Sequence, residues 1–214
     1  MTCDQCRGIE GIFGQRQAER QLNGYRKRGP AKTTRMLISA LEAQGVSGLT
    51  LLDIGGGIGA IQLGLLKAGV TTATDVDAST GYIATARTAA EGEGLADRIA
   101  YRHGDFTALA PEVAPAGIVT LDRVICCYHD MRGLVSQSAA KAAKLYGVVY
   151  PRDTWWTRAF VAAGNFFLRL RRDPFRAFVH PTAAVDALIR SGGLAPRFLR
   201  NAGPWQVVVY VRSA

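Results

Sequence analysis

The stretch LLDIGGGIG, over Leu51–Gly59, decides the fold. Its first four residues are apolar except for Asp53, as in a short buried strand, and a glycine-rich turn follows them. A glycine turn between a parallel strand and a helix allows a ligand to approach the backbone closely. We therefore predict a strand, a ligand-binding loop and the start of a helix.

Strand and helix patterns alternate on the C-terminal side of this stretch. The predicted strands cover 50–54, 71–77, 99–103, 118–121 and 147–150, with helices at 59–68, 79–91 and 134–145 between them. Helices at 155–171 and 182–190 then precede strands at 196–200 and 206–211. The pattern predicts an α/β, Rossmann-like fold, with a mostly parallel seven-stranded sheet, helices on both faces and an antiparallel last strand.

The chain of 214 residues is 48% hydrophobic, which suits one buried core. Residues 1–48 are polar and basic up to Gly29-Pro30, then carry an apolar helical stripe formed by Met36, Leu37, Ile38 and Leu41. We predict a helical N-terminal cap over 1–48 and one domain over 49–214. No apolar run has the length of a membrane span and the N-terminus lacks a signal-peptide pattern, so we expect a cytoplasmic protein.

Asp53 separates two interpretations of the glycine loop. Gly55-x-Gly57-x-x-Ala60 also fits a looser dinucleotide fingerprint, and a nicotinamide oxidoreductase is therefore one alternative. A pyrophosphate needs no carboxylate nearby, whereas the amino group of a methionine gains a charge-assisted hydrogen bond from one. The Asp-x-Gly-x-Gly-x-Gly arrangement that begins at Asp53 resembles the first motif of class I S-adenosylmethionine methyltransferases.

The resemblance continues along the chain. It implies that Asp77, followed by Ser79, accepts the ribose hydroxyls, although Asp75 is a rival for that role. It also implies that Asp105 in Gly104-Asp105-Phe106 accepts from the adenine amino group. The implied S-adenosylmethionine-binding residues are Asp53, Gly55, Gly56, Gly57, Asp77, Gly104, Asp105, Phe106, Leu121 and Asp122.

Few titratable groups are candidates for catalysis. A general base is needed only if the acceptor arrives protonated, and Tyr128, His129 and Asp130 follow the fourth strand, with His180 further along. His129 is the first choice as base, although a helix cap or a surface histidine fits its pattern as well. Tyr25 is expected near the acceptor if the N-terminal helix folds over the pocket.

The charge and one arginine-rich segment bear on the acceptor. The net charge of +9 favours a nucleic acid, an anionic lipid surface or an acidic small molecule. The segment Asp122-Arg123-Val124 lacks the prolines typical of base-modifying enzymes, which disfavours nucleic acid.

Arginines and aromatic residues alternate over 152–180, and we predict a helical flap over the site there. The alternative is a helix with its aromatic face in the core.

These observations favour methyl transfer from S-adenosylmethionine to an oxygen of a small organic acceptor that is flat, apolar and anionic. The chain is loosely similar to the magnesium-protoporphyrin methyltransferase group, but Cys126 stands where that group has a histidine. An RNA methyltransferase and a non-catalytic cofactor-binding module are alternatives, and peripheral membrane contact is a further candidate. Cys3-x-x-Cys6 could supply half of a zinc site, but we predict no metal, and the sequence does not indicate an oligomeric state.

Overall fold

The computed structural model describes residues 4–213, with side chains from residue 8 onward. Within these residues one sheet contains seven strands, namely Leu51–Ile54 (β1), Ala73–Asp77 (β2), Ile99–His103 (β3), Ala116–Asp122 (β4), Ala142–Pro151 (β5), Leu194–Ala202 (β6) and Trp205–Arg212 (β7). The order across the sheet is β3-β2-β1-β4-β5-β7-β6. Strands β1 to β5 are parallel, and β7 runs antiparallel to both of its neighbours, β5 and β6. The predicted fold class is confirmed.

Helices cover both faces of the sheet. They are Asp4–Ile12 (α1), Gln15–Arg28 (α2), Lys32–Glu42 (α3), Ala60–Lys67 (α4), Thr80–Gly92 (α5), Phe106–Leu109 (α6), Met131–Lys141 (α7), Trp155–Leu170 (α8) and Thr182–Ser191 (α9). Neighbouring residues of a strand pack on opposite faces of the sheet. Leu51 belongs to the hydrophobic core with α3 and α4, whereas Leu52 belongs to the core with α7 and α9. This alternation explains why β1 has apolar side chains on both of its faces.

The N-terminal segment packs directly on the sheet. Helix α3 contacts β5 and β7 and buries Leu37, Ile38 and Leu41, three of the four residues in the predicted stripe. Helix α2 packs against α5 and buries Ala18 and Leu22. The polar stretch before Gly29 is therefore helical as well, although few apolar residues mark it.

The alanine-rich run was assigned wrongly at its end. Helix α7 stops at Lys141, and Ala142–Leu145, which the pattern placed in a helix, begin β5. Leu145 pairs with Ile118 on β4 and is fully buried, so sheet pairing overrides the helix propensity of alanine. The Arg212 guanidinium donates to the carbonyl oxygens of Ala139 and Ala142 and so binds the C-terminal end of α7.

Helix α8 lies on the outside of the molecule. Of its sixteen residues, Thr157 alone is buried. None of the helices within residues 4–213 combines the length and apolar character that crossing a membrane requires.

Candidate functional site

A cavity of about 880 Å³ opens at the carboxyl ends of β1, β2 and β4. Strands β1 and β4 are neighbours in the sheet, while the helices that follow them, α4 and α7, lie on opposite faces. Such a switch point leaves a crevice in which parallel α/β proteins bind their ligands. Residues of α2, the start of α3 and the segment after β4 form the other walls.

The glycine loop closes one end of the cavity. Gly55 and Gly57 have φ of 65° and 59°, in the left-handed region that glycine adopts without strain. A Cβ on Gly56 would lie 2.3 Å from Gln62 Nε2 and 2.6 Å from Asp75 Oδ1. The loop therefore rests directly on a layer of polar side chains, with no room for a larger residue at position 56.

Asp53 is the innermost carboxylate of that layer and lines the cavity. It is 1% exposed, and its two oxygens accept hydrogen bonds from the Thr120 hydroxyl at 2.7 Å and from Gln62 Nε2 at 3.2 Å. Burial raises its pKa to about 7, although both hydrogen bonds act in the other direction. A ligand cation at this place would favour the ionised carboxylate.

Gln62 is a site residue that the sequence reasoning missed. It is fully buried, and within residues 8–213 its Oε1 has no hydrogen-bond partner. A glutamine among the apolar residues of α4, which has one further polar side chain at its last residue Lys67, was the signal that could have revealed it.

Asp75 and Asp77 have different positions around the loop. Asp75 lies beneath it and accepts from the Gly56 N–H at 3.2 Å, and burial raises its pKa well above the usual range. Asp77 lines the cavity and accepts from the backbone N–H groups of Gly57 at 3.1 Å and Ser79 at 2.8 Å. Of the two rivals for the ribose role, only Asp77 faces the cavity.

Gly104, Asp105 and Phe106 form a further part of the lining. Asp105 Oδ1 accepts from the Thr107 N–H at 3.0 Å and from the Tyr128 hydroxyl at 2.5 Å. In the described part of the chain, no hydrogen bond reaches Asp105 Oδ2. The third predicted motif thus presents an acceptor oxygen beside the buried ring of Phe106.

The end of β4 contributes one of its two predicted residues. Leu121 was expected to line the pocket, but it is fully buried in the core because its side chain faces α7. Asp122 does line the cavity, where it accepts from the Thr34 hydroxyl at 2.5 Å and pairs with Arg123 at 3.0 Å.

The candidate catalytic residues are not all brought to the cavity. His129 is exposed, stacks on the Tyr128 ring with centroids 5.7 Å apart and is not part of the lining, so a role as general base has no geometric support. His180 Nε2 lies 3.1 Å and 2.9 Å from the carbonyl oxygens of Ile125 and Tyr128, and burial lowers its pKa. Asp130 caps α7 by accepting from the Gly133 N–H.

Tyr25 and Tyr128 do line the cavity. Burial raises the pKa of the Tyr25 hydroxyl, so this group stays protonated near neutral pH. Tyr128 donates to Asp105 and thereby fixes the carboxylate expected to bind adenine.

The cavity arginines come from a different part of the chain than predicted. None of the residues 152–178 lines the cavity, so the expected flap over the site is wrong, and the aromatic rings of α8 are exposed, so the core alternative is wrong as well. The arginines of the lining are Arg20, Arg28, Arg35 and Arg123. Within residues 8–213, Arg20 and Arg28 form no ion pair. The sequence did not predict the positions of Arg20 and Arg28, because residues 1–28 gave no clear helix pattern.

Two adjacent cysteines complete the wall. Cys126 and Cys127 both line the cavity, with their Sγ atoms 3.9 Å apart. The hydrogen bond between the thiols lowers the pKa of Cys127 and raises that of Cys126, whose burial adds to the increase. Cys3 lies outside the described residues, as does the side chain of Cys6, and no metal-ligating cluster of three residues occurs among the described ones.

These residues fit S-adenosylmethionine. The carboxylate of Asp53 suits its ammonium, Asp77 suits its ribose hydroxyls, and the pair of Asp105 and Phe106 suits its adenine. The backbone of Gly57 leaves space for a ligand beside it, because a Cβ on this residue would meet the Tyr82 ring no closer than 3.6 Å. A cavity of about 880 Å³ lies within the range of about 300–1,000 Å³ typical of small-molecule sites.

Comparisons with known proteins agree with this fit. Residues 51–149 match the family described as methyltransferase domain. The magnesium protoporphyrin IX methyltransferase from Synechocystis PCC 6803, solved with bound SAH, has a similar structure, with a TM-score of 0.74, 18% identity and coverage of 98% of this chain and 100% of that chain.

Two further solved structures share the fold at lower coverage. An O-methyltransferase family protein from Burkholderia thailandensis has a TM-score of 0.67 and 18% identity over 85% of this chain and 56% of its own. An O-methyltransferase family 2 protein from Planctomyces limnophilus, in complex with apigenin, has a TM-score of 0.62 and 14% identity over 87% of this chain and 63% of its own. Among the curated proteins, a sequence search gives no significant match.

Proposed function

We propose that this chain, a class I S-adenosylmethionine-dependent methyltransferase, transfers the methyl group of S-adenosylmethionine to an oxygen atom of a small, flat organic anion. The observation that carries the proposal is the division of the cavity into two chemically different parts. Aspartates line the strand ends, whereas arginines from α2 and α3 line the opposite rim. A cationic cofactor and an anionic acceptor would therefore bind side by side.

The strand-end residues would hold the cofactor. Asp53 would bind the ammonium, Asp77 the ribose hydroxyls, and Asp105 the adenine amino group next to Phe106. S-adenosylmethionine supplies a sulfonium-bound methyl group that an acceptor oxygen displaces in line, so correct positioning accounts for much of the acceleration.

The rim residues would hold the acceptor. Arg20 and Arg28 offer charged donors that form no ion pair within residues 8–213, and Tyr25 and Trp205 offer ring surfaces within the same lining. A flat anion would gain charge-assisted hydrogen bonds from the arginines and stacking from the rings.

An acceptor that arrives as an anion needs no general base. This fits a cavity to which His129 is not brought and in which Tyr25 stays protonated. Such an acceptor oxygen is already a nucleophile, and the Tyr25 hydroxyl would orient it by donating a hydrogen bond.

Calorimetry tests the cofactor half of the proposal. We expect micromolar binding of S-adenosylmethionine and of its demethylated product, and an affinity lower by about 100-fold for Asp77→Ala, because two charge-assisted hydrogen bonds are lost. Asp97→Ala, which removes an exposed aspartate away from the cavity, is the matched control. Equal affinities for Asp77→Ala and the control would refute the assignment.

Labelled cofactor and fractionated host extract test the acceptor half. We expect the label in a small organic anion, and we expect Arg20→Ala with Arg28→Ala to raise KM for that compound with little change in kcat, because uniform binding is lost. Arg16→Ala on the same helix, outside the lining, is the control. Label in RNA or protein instead would overturn the choice of a small acceptor.

A further inference from the structure

The outer face of α8 is an uninterrupted apolar surface. At about 100° per residue, eight of its residues fall within an arc of about 140°, and all of them are exposed: Trp155, Trp156, Ala159, Phe160, Ala163, Phe166, Phe167 and Leu170. Trp155 is 81% exposed and Phe160 is 78% exposed. Scattered apolar residues are normal on a protein surface, but a continuous aromatic face of this kind marks an interaction site.

The opposite face fixes the helix to the body of the protein. Thr157 is buried, and Asn165 both donates to the Ala177 carbonyl at 2.8 Å and accepts from the Ala177 N–H at 3.0 Å. Thr154 caps the first turn by accepting from the Thr157 N–H. The helix is thus held in place by its polar side while its aromatic side faces outward.

Arginines border this aromatic face. Arg158 and Arg169 lie along one edge, and Arg171 and Arg172 follow at the C-terminal end, all exposed. Arg158 pairs with Asp153, but helix α8 itself contains no acidic residue. The surface therefore combines apolar rings with positive charge, on a chain whose net charge is +9.

This charge pattern selects among the occupants that could cover the face. A second copy of the chain, packed through the same face, would bring two rows of arginines together without acids to neutralise them. An anionic lipid surface neutralises the arginines and accepts the rings at the depth where Trp and Phe are most favourable. The helix spans about 24 Å at 1.5 Å per residue, a length suited to lying in the interface.

We propose that α8 is a membrane-surface anchor, which binds flat on anionic lipid bilayers through its aromatic face and its bordering arginines. The anchor is also joined to the active-site wall. Eight residues after α8 ends, the Phe178 N–H donates to the Cys126 carbonyl at 2.7 Å, and His180 contacts two further carbonyl oxygens of that wall. The proposal does not depend on which acceptor the enzyme methylates.

Vesicle flotation with the full chain tests the anchor. We expect the protein to float with vesicles of phosphatidylcholine containing one third phosphatidylglycerol, and to remain largely in solution with phosphatidylcholine alone. The emission of Trp155 and Trp156 should shift to shorter wavelength with the anionic vesicles, since both rings leave water. The bound fraction should fall as salt rises, because part of the attraction is charge on charge. Failure to float with anionic vesicles at low salt would overturn the proposal.

Two pairs of variants separate the apolar and the charged contributions. Phe160→Ser with Phe167→Ser should lower the partition coefficient by about tenfold or more, because two rings no longer enter the interface. Arg169→Glu with Arg172→Glu should lower it at low salt by at least a similar factor. Leu199→Ser and Arg200→Glu are the matched controls, because both positions are exposed on β6 rather than on α8.

The outcomes decide between the occupants. A loss confined to the α8 variants, with cofactor binding unchanged, supports the anchor. Equal loss of vesicle binding in the β6 controls would mean that net charge alone attracts the protein to the vesicles. It would refute the proposal that α8 is a specific membrane-binding face. A concentration-dependent dimer that Phe160→Ser abolishes, without vesicle binding, would assign the face to a second copy instead.

Discussion

The carboxyl end of β1 and the outer face of α8 are opposite in chemistry. At the first, the chain buries three aspartates, Asp53, Asp75 and Asp77, among few hydrogen-bond donors. At the second, it exposes five aromatic rings to water. Buried carboxylates reduce the stability of the isolated chain, and a continuous face of exposed rings marks an interaction surface. Each region therefore lacks a partner of complementary chemistry, which is a cation at the end of β1 and an apolar, anionic surface at α8.

The glycine loop should give the largest effect. Gly56→Ala places a Cβ against Gln62 and Asp75, so we expect a loss of about 1–3 kcal/mol in the free energy of unfolding and an affinity for the cofactor lowered by about 100-fold or more. Denaturant unfolding and calorimetry measure the two quantities. Gly92→Ala in α5, where a Cβ meets nothing within 4 Å, is the control and should leave cofactor binding unchanged without lowering the free energy of unfolding. Normal cofactor binding by Gly56→Ala would mean that the loop is not part of the site.

Asp53→Asn should separate stability from function. The folded-state pKa of about 7 lies above the ordinary value of 3.8, so the stability of the wild-type fold falls as pH rises from about 4 to about 7. We expect Asp53→Asn to raise the free energy of unfolding at pH 8 by about 1–3 kcal/mol, with a smaller gain at pH 5. Rotation of the Gln62 amide would let its Oε1 accept from the new side-chain N–H.

The same variant should bind S-adenosylmethionine at least about tenfold more weakly, because the ammonium loses an ionic partner. Unfolding curves at pH 5 and pH 8, together with calorimetry at pH 8, measure both effects. A variant that is less stable than wild type at pH 8 would contradict the view that the buried charge destabilises this end of β1.

The cysteine pair should show a difference in reactivity within the cavity wall. We expect iodoacetamide at pH 7.5 to alkylate Cys127 at least about tenfold faster than Cys126, because the thiolate is favoured at the former and disfavoured at the latter. Tandem mass spectrometry of the peptide that contains both residues resolves the two sites. Faster modification of Cys126 would contradict the assigned directions of the two pKa shifts.

The outer face of α8 should give the smallest effect on folding. Phe160→Ser with Phe167→Ser should change the free energy of unfolding by no more than about 0.5 kcal/mol, because exposed side chains leave no cavity. Phe175→Ser, at a buried ring 5.6 Å from that of Phe13, should cost about 3 kcal/mol or more. Chemical unfolding in the absence of lipid makes the comparison. Similar losses in both variants would show that the α8 rings pack on the protein after all.

The two regions also differ in what the sequence predicted. The loop and its aspartates were predictable because backbone geometry and spacing fix them, as in the run from Asp53 to Gly59. The end of α7 was not predictable from the sequence, because the Arg212 side chain that binds its last carbonyls comes from a strand 70 residues later. Only β pairing, which local patterns do not encode, places Ala142 and Leu145 in a strand.

The direction of side chains limited the prediction of the site. His129 and Leu121 lie close in sequence to lining residues, yet one faces solvent and the other faces the core. Arg20 and Arg28 reach the cavity because α2 packs on α5, a tertiary contact without a local signature. The sequence likewise did not determine that the aromatic face of α8 points outward, since its pattern of rings and arginines fits a core helix or a flap equally well.

The buried position of Asp53 has a calorimetric consequence. Near pH 7 the carboxyl group is about half protonated before a ligand binds, and an ammonium beside it would complete its ionisation. Under the proposed assignment, cofactor binding therefore releases about half a proton to the buffer. The heat measured at pH 7 should differ between phosphate and Tris in proportion to their ionisation enthalpies, and this difference should be smaller in Asp53→Asn.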